Sequence, residues 1–146
     1  MHTISRDSPC YYLTSVANNR LPVFQSDELK LITCQALNDA RRSGGFAIYA
    51  YVIMPDHLHL LITPTMVTLE RSMQLIKGGF SHRLGSTLPV WQRGFTDHRI
   101  RDTADFLTRL QYIHRNPVEA RLCEQAEAYA FSSANAKIRT EEYLSG

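Results

Sequence analysis

The clearest alternation of hydrophobic and polar positions falls in the run His57-Leu58-His59-Leu60-Leu61-Ile62-Thr63. Residues two apart point to the same face of a strand. A strand here puts His57, His59, Leu61 and Thr63 on one face, and Leu58, Leu60 and Ile62 on the other, the face expected to meet the core. Just before it, Phe46 to Met54 is apolar in both alternating sets, which predicts a central strand covered at least in part on both sides. The short Pro55-Asp56 link joins the two runs as an antiparallel pair.

The flanking chain supplies the other elements. Tyr11 to Val16 is rich in aromatic and β-branched residues and reads as a first strand. Ser26 is the expected N-cap of a helix over roughly 27 to 42, with Asp27 and Glu28 in its first turn and Gly44-Gly45 as its stop. Leu69, Met73, Ile76, Phe80 and Leu84 form a strong helical stripe. Gly78-Gly79 inside that stripe costs up to about 1 kcal/mol per glycine relative to alanine, so either a backbone or ligand approaches closely there or the helix frays.

Asp97 to Arg101 can form another short strand, and Asp102 or Thr103 caps a further helix. Its expected buried stripe is Ala104, Leu107, Leu110 and Ile113, with Tyr112 off the centre of the apolar face. A residue before proline avoids the α region, so Asn116-Pro117 is expected to interrupt this helix and begin a short new one. From Glu124 onward the chain is Ala-rich and polar and predicts no element. The order β-α-β-β-α-β-α indicates an α+β fold, a ferredoxin-like antiparallel sheet with helices packed on one face, in a single domain over residues 1–146.

Composition narrows the setting. The 146 residues are 44% hydrophobic and 21% charged, ordinary values for a soluble globular protein. No run approaches the ~18 apolar residues of a membrane span, and Met1 to Cys10 lacks the apolar segment of a secretory signal. Cys10, Cys34 and Cys123 are odd in number and widely spaced, which suits neither a disulfide framework nor a cysteine zinc site and points to the cytoplasm. The net charge of +2 hides an asymmetry: residues 71–121 carry nine Lys/Arg against four Asp/Glu, while both flanks are slightly acidic. That middle segment is a candidate electrostatic footprint for nucleic acid, or equally a solvated face with scattered arginines.

Two imidazoles side by side on a strand can chelate one divalent cation; the alternative is a pair of polar residues on a solvated face. None of the six histidines forms the paired HxT or HxS repeats of a two-histidine phosphoesterase. Glu70 lies too far on for a cupin-type site, and no Cys or His stands near enough to complete a structural zinc site. Two histidines with open coordination positions suit a catalytic divalent ion acting on a phosphate. Such a site still needs a nucleophile.

Met54-Pro-Asp-His57-Leu-His59-Leu-Leu, followed by Tyr112-Ile-His-Arg-Asn116-Pro, resembles the Y1 transposase family of HUH single-strand DNA nucleases, and within it the REP-associated tyrosine transposases of the IS200-like group. Val90-Trp91-Gln-Arg-Gly-Phe-Thr-Asp-His98-Arg-Ile-Arg and Ser132-Ser133-Ala134 extend the likeness over nearly the whole chain. Ala130-Phe131 stands where the family usually has Pro-Trp, a change expected to alter packing more than chemistry.

The resemblance implies a ferredoxin-like domain in which His57 and His59 bind Mg²⁺ or Mn²⁺. It also implies that Tyr112 attacks a phosphate of single-stranded DNA bearing hairpin or palindromic elements, leaving a 5′-phosphotyrosine and a free 3′-OH. By analogy Asn116 offers its carbonyl oxygen to the metal; its other role would be to cap a helix before Pro117. Lys77, Arg83, Arg93 and Arg99 are the candidate phosphate contacts. His98 and His114 are expected to be structural or near DNA, and Trp91 to pack in the core or stack on a base. REP-associated relatives suggest a monomer whose tyrosine works beside its own histidines, whereas insertion-sequence relatives act as dimers with the tyrosine in trans. The alternative is a catalytically silent hairpin-binding module.

Overall fold

A computed structural model describes residues 8–43, 45–85 and 90–143. The first seven residues and Gly44, half of the expected helix stop, lie outside the described residues. The elements are β1 (Tyr11–Val16), α1 (Asp27–Ser43), β2 (Phe46–Met54), β3 (His57–Pro64), α2 (Leu69–Leu84), β4 (Thr96–Arg99) and α3 (Thr103–Glu119). The four strands form one sheet in the order β2-β3-β1-β4, and every neighbouring pair is antiparallel. This is the ferredoxin-like order, with the histidine strand flanked on both sides.

The caps follow the chemistry of the sequence. Ser26 Oγ accepts the amide of Leu29 at 3.2 Å, Thr68 Oγ1 accepts that of Arg71 at 3.1 Å, and Asp102 Oδ1 accepts that of Asp105 at 2.8 Å. Each side chain satisfies an amide that the first helical turn leaves without a partner. Gly45, at φ +78°, turns the chain into β2; a Cβ there would stand 2.9 Å from the Met66 Cβ. α2 runs unbroken through Gly78-Gly79. A Cβ on Gly79 would meet Ala36 of α1 at an ordinary 3.6 Å, and one on Gly78 would meet nothing within 4 Å.

Two apolar clusters lie on opposite faces of the sheet. Leu58, Leu60 and Ile62 of β3 join Leu37 of α1 with Met73, Ile76 and Phe80 of α2. Leu61 and Val52 join Tyr12, Phe106 and Ile113 on the other face. The expectation of helices on one face therefore holds for α1 and α2, while α3 covers the second face. The physical reason is β2, which is buried along its whole length and needs cover on both sides. The histidine face of β3 is consequently half core, with Leu61 fully buried.

α3 corrects two details of the sequence reading. Its buried residues are Asp105, Phe106, Ile113 and Pro117, whereas Ala104 and Leu107 are exposed. Phe106 is larger than either, and Asp105 is drawn inward by His98 and Arg101, which rotates the helix away from the expected stripe. Nor does Asn116-Pro117 break the helix. Pro117 comes near its end, where the lost amide bond is confined to one turn, and its ring is buried. The amide of Ala120 still bonds the Asn116 carbonyl at 3.0 Å, so the helix closes beyond the proline.

The chain after α3, silent in the sequence, straps the open edge of β2. The Phe131 carbonyl accepts the Ile53 amide, the Tyr51 carbonyl accepts the Ser133 amide, and the Ile48 carbonyl accepts the Glu141 amide, all within 2.8–2.9 Å. The strap occupies backbone groups that an uncovered edge would offer to another strand. Phe131 packs against the Tyr129 ring at 5.8 Å.

Candidate active site

Pairing across β3 sets the histidine face. His57 lies opposite Val16 and Met54, and His59 opposite Thr14 and Val52. The two imidazole rings stand 4.6 Å apart, centroid to centroid, at 74°. Both rings are held through Nδ1. His57 Nδ1–H donates to Asp56 Oδ1 at 2.6 Å, and Arg20 donates to the other Asp56 oxygen at 3.1 Å. Bonds from His57 and Arg20 hold the Asp56 carboxyl below its ordinary range despite the opposing cost of burial.

His59 Nδ1 lies 2.9 Å from both the Tyr12 hydroxyl and the Thr14 hydroxyl. Burial pushes the Tyr12 phenol up to about 12, so it remains a neutral hydroxyl. Burial, reinforced by His57, pulls His59 down to about 3, so its imidazole is neutral at physiological pH. Proton placement follows from the partners: a carboxylate fixes His57 with its proton on Nδ1 and its lone pair on Nε2. The same tautomer is open to His59, since either hydroxyl oxygen can accept Nδ1–H.

Hydrogen bonds of this outward kind are the ones that metal-binding histidines use. Among the described residues no group of three or more His, Cys, Asp or Glu could complete a metal site. A third protein donor would therefore have to be an amide, hydroxyl or carbonyl oxygen. Asn116 suits that requirement. It lies inside α3 one turn beyond Tyr112 and is not a helix cap. Its side chain makes no hydrogen bond among the described residues, which removes the competing role foreseen for it.

Tyr112 brings the second half of the site. Its ring meets His59 at 5.6 Å and 71°, and Tyr12 at 6.3 Å and 78°. It remains 52% exposed, so its phenol is both placed and accessible. This contact is made with His59 of the same chain.

The expected basic residues divide. Lys77 Nζ donates to the Gly94 carbonyl at 2.7 Å and stands over the Trp91 ring, and burial lowers its pKa. Arg83 pairs with Asp39 and donates to Gln35, tying α2 to α1 on the side of the sheet away from the histidines. Arg93 is exposed and borders a shallow pocket with Thr14 and Val16, the residues opposite His59 and His57. Arg99 is exposed on the edge strand β4. Trp91 packs against Phe24 and Phe80, at 4.8 and 5.7 Å.

His98 and His114, expected to be structural or near DNA, both make structural contacts, and four further residues beside the histidines were not among the candidates. His98 Nε2 donates to Asp105 Oδ2 at 2.9 Å, pinning the start of α3 to β4. His114 Nε2 and Ser133 Oγ are 2.9 Å apart, joining the same helix to the strap. Tyr12, Thr14, Arg20 and Asp56 surround the histidines. Of these, only Asp56 carried a local signal, its place directly before His57.

A phenol beside two buttressed imidazoles on a rigid sheet can perform covalent attack on a phosphodiester. Residues 7–116 match the family model described as "Transposase IS200 like", and the chain belongs to this family, the Y1 tyrosine transposases. Members of the family are generally metal-dependent. The REP-associated tyrosine transposase of Escherichia coli (strain K12) is 28% identical over 125 residues, covering 84% of this chain and 74% of that protein. The structure of a REP-associated tyrosine transposase bound to a REP hairpin matches with a TM-score of 0.74 at 24% identity, over 100% of this chain and 93% of that one. A crystal structure from Deinococcus radiodurans shares the fold at TM-score 0.57 and 22% identity, over 76% of this chain and 95% of that one.

Proposed function

We propose that this transposase is one cytoplasmic catalytic domain that nicks and rejoins single-stranded DNA at hairpin-bearing sites through a 5′-phosphotyrosine intermediate. The observation that carries the reading is the ring contact of Tyr112 with His59, whose Nδ1 and that of His57 are both engaged by protein groups. The REP-hairpin complex of a protein with the same fold supports hairpin DNA as the substrate class.

Tyr112 Oη attacks the phosphorus, the bond from phosphorus to the 3′ oxygen breaks, and the phosphate stays linked to the tyrosine. The phenol loses a proton and the leaving oxygen gains one, so no net proton is consumed. The bond energy is conserved in the phosphotyrosine, and a later 3′-OH can displace the tyrosine without an added nucleotide. His57 and His59, through Nε2, and Asn116, through its carboxamide oxygen, would hold Mg²⁺ or Mn²⁺. When bound, such an ion supplies Lewis-acid polarisation of the phosphate.

The protein's own contribution is placement. Asp56 and Arg20 fix the His57 ring, Tyr12 and Thr14 fix that of His59, and α3 carries Tyr112 across them. Arg93 and Arg99 are the exposed cations proposed to meet the DNA backbone; Lys77 and Arg83 would have to exchange existing protein partners to do so. The cis placement of Tyr112 supports a monomeric catalytic unit.

The test is incubation with 3′-labelled single-stranded hairpin DNA, with Mg²⁺ or Mn²⁺ and with EDTA. The expected result is a metal-dependent, SDS-resistant protein–DNA adduct that disappears in Tyr112→Phe. Cleavage that persists without Tyr112 would mean simple hydrolysis. Tight hairpin binding with no adduct under either metal would mean a silent binding module.

A further inference from the structure

Arg109, on the polar stripe of α3, has no part in the chemistry above. Asp105, Arg109, Tyr112 and Asn116 recur at intervals of four, three and four, so they share one face of the helix. Arg109 Cζ lies 4.9 Å from the centroid of the Tyr12 ring. That same ring stacks on His59 and touches Tyr112.

The guanidinium is held but not satisfied. Its Nε is buried without a hydrogen-bond partner among the described residues. The Asp105 Oδ1 atom, 3.8 Å away, attracts it electrostatically but is too distant for a hydrogen bond. The other Asp105 oxygen already accepts from His98 and from the Arg101 amide. No protein acceptor meets the terminal nitrogens of Arg109 among the described residues, and its side chain is 35% exposed. A guanidinium presents five N–H groups in a planar fork matched to two phosphate oxygens. Its place over the Tyr12 ring and the nearby Asp105 charge preorganise that fork beside the nucleophile.

We propose that Arg109 grips the non-bridging oxygens of the phosphate that Tyr112 attacks. The inference rests on the tyrosyl-transfer reading of this site. Arg109 makes and breaks no covalent bond and stays protonated throughout; it orients the phosphate and offsets charge that grows on its oxygens. Because it sits one turn before Tyr112 on the same rigid helix, clamp and nucleophile move together.

The experiment is a binding cycle in the Tyr112→Phe background, which retains the ring but cannot attack. Affinity is measured for single-stranded hairpin DNA whose scissile linkage is either a phosphate or an uncharged methylphosphonate. With Arg109 present, neutralising the linkage is expected to cost at least about fivefold in affinity, and with Arg109→Gln less than about twofold. An equal cost in both proteins overturns the proposal. Should Arg109→Gln fail to fold, Arg109→Met, which keeps the aliphatic stem and removes the charge, enters the same cycle under the same criterion.

In the cleavage-competent protein, Arg109→Gln is expected to slow adduct formation at saturating DNA by about 100-fold, with melting temperature and divalent-ion affinity unchanged. A loss of rate that merely tracks a loss of folded protein or of metal binding would also overturn it. An unmodified chain that forms no Tyr112-dependent adduct and binds no hairpin removes the tyrosyl-transfer reading and this inference with it. An adduct that forms with no coupling to Arg109 removes the inference alone.

Discussion

The ring of Tyr112 meets His59 edge-on, 5.6 Å between centroids, and so joins the middle of α3 to the middle of β3. Tyr112 is half-exposed, and its hydroxyl makes no hydrogen bond among the described residues. Tyr112→Phe should therefore change unfolding free energy by no more than about 0.5 kcal/mol while abolishing the covalent DNA adduct. Denaturant melts and a gel assay on one preparation check both halves. A large loss of stability would mean that Tyr112 is chiefly a packing residue.

Asp56 acts on His57 by fixing its tautomer and orientation. Partners of this kind typically contribute 10–100-fold to metal affinity. Asp56→Ala should weaken Mn²⁺ binding by about that factor in calorimetry, and Arg20→Ala should weaken it less, since Arg20 acts only through Asp56. Asn116→Ala should also weaken binding without lowering thermal stability, because Asn116 caps no helix. A drop in melting temperature with unaltered Mn²⁺ affinity would count against Asn116 as a ligand.

Asp105 gives the fold a defined acid response. The Arg101 amide first, and then His98, pull its carboxyl from 3.8 down to about 2. Since the unfolded chain binds this proton more readily, the contribution is full above about pH 4 and fades as pH falls towards 2. It should amount to roughly 1–2 kcal/mol. Comparing unfolding of the natural protein and Asp105→Asn between pH 2 and 5 tests this. The variant should be less stable at pH 5, and the gap should narrow on acidification; a gap independent of pH would exclude the mechanism.

Gly78 sits exposed in the interior of α2, and a methyl group added there would have nothing within 4 Å. Gly78→Ala should stabilise the protein by about 0.5–1 kcal/mol, through helix propensity and a less free unfolded chain. Thermal melting suffices to check it. No gain, or a loss, would mean that the glycine serves a packing need that the fold does not display.

Much of this architecture is legible in the order of residues alone. The apolar run Phe46–Met54 and the stripe through Leu69–Leu84 give elements with those boundaries, and the alternation from His57 to Thr63 gives a strand that ends one residue later. Period-two and period-3.6 burial is a local property, and the capping side chains of Ser26 and Asp102 act within three residues of themselves. Pairing of His57 with His59 is legible for the same reason, since residues two apart on a strand must share a face.

The tertiary structure alone decided what the second face of the sheet would meet. Phe106 and Ile113 turn α3 onto the histidine side, which brings Tyr112 to His59 and Arg109 to Tyr12. It also carried α3 through Pro117, contrary to the local bias of Asn116, because burial of the proline ring and a closing bond from Ala120 outweigh one missing amide. The strap over β2 left no periodic trace, since its contacts are made one or two residues at a time through backbone groups. Sequence by itself determined most of the elements and the chemical groups on each, but neither the course of α3 through Pro117 nor the strap over β2. Which groups meet depended on contacts between residues far apart in the chain, whose energies appear only once the sheet and its two covers are assembled.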